Sequence, residues 1–109
     1  MSKLKDPRAA ATANLFERYA LIIEATPREA MFDQDSRLSL ENLLWICRQG
    51  EREADILPLD KISRWLGFVQ GCLAMRGLIQ VDEERDVSRP IFHKAYREAG
   101  ITVPDPRQK

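Results

Sequence analysis

Between Pro58 and Gly77 the chain places Leu59, Ile62, Leu66, Val69 and Leu73 at alternating steps of three and four. Only an α-helix gathers such a series on one side. Trp65, Phe68, Cys72 and Met75 carry the apolar surface beyond that stripe. A helix that is apolar over most of its circumference is normally packed by neighbours on several sides. The segment 58–76 is therefore expected at the centre of the fold, with Trp65 in the core.

The rest of the chain reads as its partners. Asp6-Pro7 is a capping residue followed by a first-turn proline. From there to about Glu24, the residues Leu15, Phe16, Tyr19, Ile22 and Ile23 form a second stripe, with Asn14, Glu17, Arg18 and Glu24 away from it. Thr26-Pro27-Arg28-Glu29 reads as a cap, a proline and a reciprocal glutamate, so a short helix is expected to start there. Ser39 caps the next helix, where Leu40, Leu43, Leu44 and Cys47 share a face that Trp45 and Ile46 widen. Gly50 either ends this helix or is carried through by the charged run from Glu51 to Asp55. Gly77 stops the central helix, with Leu78 placed for the hydrophobic contact of a glycine C-cap.

Pro90 lacks an N–H and clashes with the turn before it, so a helix running straight through it is not expected. Residues 82–87 then form a short turn of their own, in which Asp82, Glu83 and Glu84 suit a positive helix end. Ser88 caps a final helix that carries Ile91, Phe92, Ala95, Tyr96 and Ala99 inward and stops at Gly100. The expectation is an all-α, compact single domain over 1–109, a bundle of about five helices with extended tails at 1–6 and 101–109. No repeat and no strand pair with a hairpin turn is visible.

A chain of 109 residues can bury a core without metal or disulfide staples. Seventeen basic and 17 acidic side chains give a net charge of zero, which removes any whole-surface attraction for nucleic acid or anionic membrane. Arginine strongly outnumbers lysine, which favours planar contacts to a partner. Cys47 and Cys72 lie inside helical patterns without CxxC spacing, and His93 is the sole histidine. They read as core thiols of a reducing compartment rather than zinc ligands. No run resembles a signal peptide or a membrane span, so a cytoplasmic location is expected.

Two clusters remain as candidate sites. Ser63, Gly67, Gly71 and Ala74 put small residues on one side of the otherwise bulky 58–76 helix. They mark either a tight crossing inside the chain or a surface for self-association or a ligand. Arg85, Arg89, His93 and Arg97 are spaced by four, and the last three share a stripe if the final helix starts at Ser88. They form either a solvated face paired with Asp82, Asp86 and Glu98, or a grip on an acidic partner.

Catalysis finds no foothold. Glu51, Glu53 and Asp55 lack the ExxE and ExxD spacing with which small helical nucleotide pyrophosphohydrolases hold magnesium, and Glu83-Glu84 has no ExxE partner. There is no GxSxG or phosphate-loop pattern, and neither cysteine has a histidine-centred constellation to activate it. No catalytic residue, metal or cofactor is expected, and a small-molecule phosphohydrolase is the third reading.

The run Leu73-Ala-Met-Arg-Gly-Leu-Ile-Gln-Val, followed by charged residues and Arg89, resembles the recognition-helix end and wing of winged helix-turn-helix regulators of the multiple-antibiotic-resistance type. That resemblance implies a DNA-binding regulator as the alternative. It ranks second because Trp65, Leu66, Phe68 and Val69 occupy the positions of polar base-reading side chains, and Asp82 to Glu84 make the wing acidic. The stretch from Arg64-Trp-Leu-Gly-Phe-Val-Gln-Gly through Arg89-Pro-Ile-Phe-His-Lys-Ala-Tyr is similar to small uncharacterised helical proteins of tailed phages and prophages, over about a third of the chain. That similarity implies a host-modulating accessory role and brings no active site with it. The expected function is accordingly a non-enzymatic protein-interaction module. Its contacts are Arg85, Arg89, His93 and Arg97, and Ser63, Gly67, Gly71 and Ala74 serve either close helix packing or self-association.

Overall fold

The computed structural model describes residues 6–101 and contains, among them, four α-helices and no strand. They are α1 (Pro7–Glu24), α2 (Leu40–Glu53), α3 (Leu59–Met75) and α4 (Val81–Glu98). The all-α expectation holds with fewer helices than the five anticipated. The short helix expected after Thr26 is a single 3-10 turn, Arg28–Ala30, and a second such turn spans Ser36–Leu38. The tails expected over 1–6 and 101–109 lie outside the described residues, apart from Asp6 and Ile101.

Local chemistry sets most of the boundaries. The Asp6 carboxylate accepts the Arg8 N–H at 2.9 Å, satisfying one of the free donors that open α1. Ser39 does the same for α2, its Oγ accepting from the Asn42 N–H at 3.1 Å. At the end of α3, Gly77 takes φ +74° and donates to the Ala74 carbonyl, while the Leu78 N–H reaches back to Leu73. Gly100 repeats this arrangement after α4, with Ile101 donating to Tyr96. Both are Schellman stops, in which a left-handed residue closes the last free carbonyls.

The centre of the bundle is α1, not the 58–76 helix. It runs against all three other helices, whereas α3 and α4 scarcely touch each other. Leu15, Phe16, Tyr19, Ala20 and Ile23 are buried, and Ala9, Ala11 and Thr12 continue the same broad face toward the start of the helix. Small residues on that face let neighbours come close, a property that a count of bulky apolar side chains overlooks. By contrast α3 buries one stripe, Ile62, Leu66, Val69 and Leu73. Phe68 and Met75 remain 41% and 89% exposed. Trp65 is half-buried at the margin of the core, with the Lys61 ammonium 5.8 Å from its ring centroid, rather than inside it.

Gly50 does not end α2. It is buried in the helix, at the point where α2 meets α1, and a Cβ there would run into the ring of Phe16. The close backbone approach that glycine permits is thus made at Gly50. Cys47, one turn earlier, is fully buried, and burial pushes its thiol up to about 12. Cys72 is half-buried, and its thiol is raised for the same reason.

The largest departure from the sequence expectation is α4. A single helix runs from Val81 to Glu98 through Pro90, in place of a turn at 82–87 and a helix capped by Ser88. Asp86 and Pro90 are both exposed, so the carbonyl that loses its donor at the proline is on the solvent side of the helix rather than in the core. Ser88 is no cap; its hydroxyl donates to the Glu84 carbonyl at 2.8 Å. Residues 78–80 are a short non-helical link that passes directly into this helix, so the acidic part of the segment that resembled a wing, Asp82 to Glu84, is helical. No helix of the described residues is long and apolar enough to cross a membrane.

Candidate functional site

Because α4 is unbroken, all four of its basic candidates belong to one helix. Four residues advance a helix by slightly more than a turn, about 40° per step, so Arg85, Arg89, His93 and Arg97 wind gradually around it. All four are exposed. Among the described residues, none of the three arginines lies within ion-pair distance of a carboxylate. The pairing expected with Asp82, Asp86 and Glu98 is not made; Glu98 instead faces Lys94 at 3.9 Å. Arg8, Arg18, Arg37, Arg48, Arg64 and Arg76 each hold a carboxylate. Arg28, Arg52 and the three α4 arginines have none among the described residues, and only on α4 do three such arginines share a helix.

On α3, Ser63, Gly67 and Gly71 are exposed and Ala74 is half-buried. A Cβ added at Gly67 or Gly71 would meet nothing within 4 Å. The tight crossing inside the chain that the small residues suggested is therefore absent at these positions. Each glycine still costs the helix about 1 kcal/mol relative to alanine.

The structure brings part of the two clusters together. Where α3 and α4 diverge from the turn at Gly77–Gln80, a groove of about 260 Å³ opens between them. Gly71 and Ala74 line one wall, Val81, Arg85 and Ser88 the other, with Ile79 at the apex and Gln70 and Glu84 also contributing. Ser63 and Gly67 of the one cluster, and Arg89, His93 and Arg97 of the other, do not line it.

Beneath the groove lies a polar network that sequence reasoning missed. Glu84, 7% exposed, is clamped by Arg18 through Nε at 3.2 Å and a terminal nitrogen at 2.8 Å. The buried Tyr19 hydroxyl donates to the same carboxylate at 2.9 Å and accepts from the Gln70 amide at 2.9 Å. The Arg18 guanidinium, and then the Tyr19 hydroxyl, hold the Glu84 carboxyl below its ordinary value against the opposing effect of burial. Burial, chiefly, pushes the Tyr19 phenol up to about 12. Three helices are tied at this point, and every buried side-chain polar atom among the described residues has a partner. A continuous α4 would have revealed Glu84, since 84, 88, 91 and 95 then fall on one face. Arg18 carried only the signal of an arginine next to a core tyrosine.

Among the described residues, no three His, Cys, Asp or Glu side chains are grouped so as to share a metal ion. No family model, curated protein or solved structure matches this chain.

Proposed function

We propose that this chain is a non-enzymatic protein-interaction module whose contact surface is the exposed side of α4 and the adjoining groove. The observation that carries this reading is the row Arg85, Arg89, His93 and Arg97, exposed on one helix and without carboxylate partners among the described residues. Arginine presented in this way is a common anchor of protein interfaces, where its planar fork meets carboxylates in pairs. A net charge of zero argues against a general attraction to nucleic acid. The similarity of the stretch from 64 through 96 to small phage and prophage proteins supports a module that acts by binding, and so modulating, a host protein in the cytoplasm.

The test is the double variant Arg89→Ala/Arg97→Ala. Both side chains are exposed, so the cost in stability should be under about 1 kcal/mol. Truncating anchors of this kind removes roughly 2 kcal/mol of binding each. The expected outcome is an unchanged melting curve together with loss of the protein that wild type retains in affinity capture. Retention of that protein at wild-type strength would reduce the row to solvated surface and overturn the reading.

A further inference from the structure

Helix α4 is seated on α1 and scarcely touches α2 or α3. Its buried carboxylate, Glu84, is held by Arg18 and Tyr19 of α1. Ala95 and the half-buried Val87, Ile91 and Phe92 supply the rest of its inner face. The link that brings it there, Arg76 to Gln80, is short. Its reversal turns on Gly77, which is exposed and sits at φ +74°. No proline stands between Pro58 and Pro90, so no residue of that stretch is barred from a helix.

Were α3 continued through the link, the buried faces of the two helices would fall into phase. Eighteen residues make about five turns of an α-helix. That is the separation of Leu66 from Glu84, of Val69 from Val87 and of Leu73 from Ile91. A straightened rod would thus carry the inner residues of α3 and α4 on one side. It would keep α3 against its own bundle and deliver α4 to the α1 of a second copy, which offers the same Arg18 and Tyr19.

We infer that two copies of this chain pair by exchanging α4, each closing the Tyr19–Glu84 tie of the other. The exchange is reciprocal, so it closes at two copies. Leu78 and Ile79, half-buried against the core, hold the turn shut in the single copy. Exchange releases them and returns Gly77 to the ordinary helical region. The exchanged surface is the inner side of α4. The exposed basic row invoked for partner binding is left free, and a dimer presents it twice.

The experiment mixes Arg18→Glu and Glu84→Lys chains in urea and refolds them together and apart. Alone, each variant meets a like charge at the seat, whichever copy α4 comes from. Only exchange between the two different chains puts opposite charges at both seats. The equimolar mixture should therefore sediment as a heterodimer, with an association constant at least about tenfold above that of either variant alone. A mixture that behaves as the sum of its parts, folded or unfolded, overturns the inference. So does a dimer that each variant forms alone as readily as the mixture, since that is surface pairing without exchange. Gly77→Ala tests the hinge with the seat intact. Alanine disfavours the left-handed turn and favours a through-running helix, so self-association should tighten at least about tenfold over wild type. A Gly77→Ala chain that melts lower yet associates no more than wild type would equally overturn the inference.

Discussion

The hydroxyl of Tyr19 in α1 donates a buried 2.9 Å hydrogen bond to the carboxylate of Glu84 in α4, 65 residues further along the chain. With Arg18 on the same carboxylate and Gln70 donating to the same hydroxyl, it joins α3 and α4, which scarcely touch directly, through α1. Charged hydrogen bonds are worth roughly 1.5–3 kcal/mol each, and a buried group left without its partner costs a similar amount. Glu84→Gln should therefore lower stability by about 1–3 kcal/mol in urea unfolding. Tyr19→Phe, which keeps the ring and the Arg18 pair, should cost less. A Glu84→Gln variant as stable as wild type would show that the clamp contributes nothing.

Acid should release the same clamp. Arg18 first, then Tyr19, hold the folded carboxyl of Glu84 below its ordinary value of 4.5. A group depressed on folding contributes stability that is present above its unfolded value and is lost as pH falls through the folded one. The stability difference between wild type and Glu84→Gln should thus be constant near neutrality and shrink progressively below about pH 4.5. Asp6 and Asp35 are also depressed, by Arg8 and Arg37. Subtracting the two titration curves removes their contribution. A difference that stays flat down to pH 2 would contradict the assignment.

Gly50 and Phe16 make the opposite kind of contact, one without spare room. A methyl group at position 50 would overlap a ring that is itself fully buried. Gly50→Ala should destabilise by about 1–3 kcal/mol despite the better helix propensity of alanine, because overpacking outweighs it. Phe16→Leu in the same chain should recover part of that loss, since neighbouring substitutions couple. Additive losses would place the clash elsewhere.

Gly67 and Gly71 should respond in the reverse sense. A Cβ at either position meets nothing, and both lie inside α3. Gly67→Ala and Gly71→Ala should each raise stability by roughly 0.5–1 kcal/mol, visible as an upward shift in melting temperature. A fall in either variant would mean that a neighbour approaches these backbones within the folded monomer.

Much of the architecture was legible in the residues. Asp6, Ser39, Gly77 and Gly100 mark ends of helices because caps and stops are local chemistry, settled within a few residues. What escaped was decided at a distance. Pro90 reads as a break until the burial of Glu84 against Arg18 and Tyr19 fixes the first turn of α4 and the proline is found facing solvent. Gly67 and Gly71 advertise close packing that is made instead at Gly50. The basic row on α4 was readable residue by residue. That Arg85 shares a groove with Gly71 and Ala74 was not, because it depends on where α3 and α4 part.

The Tyr19–Glu84 tie also orders events in time. Chains emerge from the ribosome N-terminus first, and α1 precedes α4 by most of the described sequence. The α1–α2 seam around Phe16 and Gly50 has all its atoms once α2 has emerged. Arg18 and Tyr19 remain without their carboxylate until synthesis passes Val81 and delivers Glu84. A chain that stops short of α4 can thus make the Phe16–Gly50 contact but not the Tyr19–Glu84 one, so the two ties differ in how much of the sequence each requires.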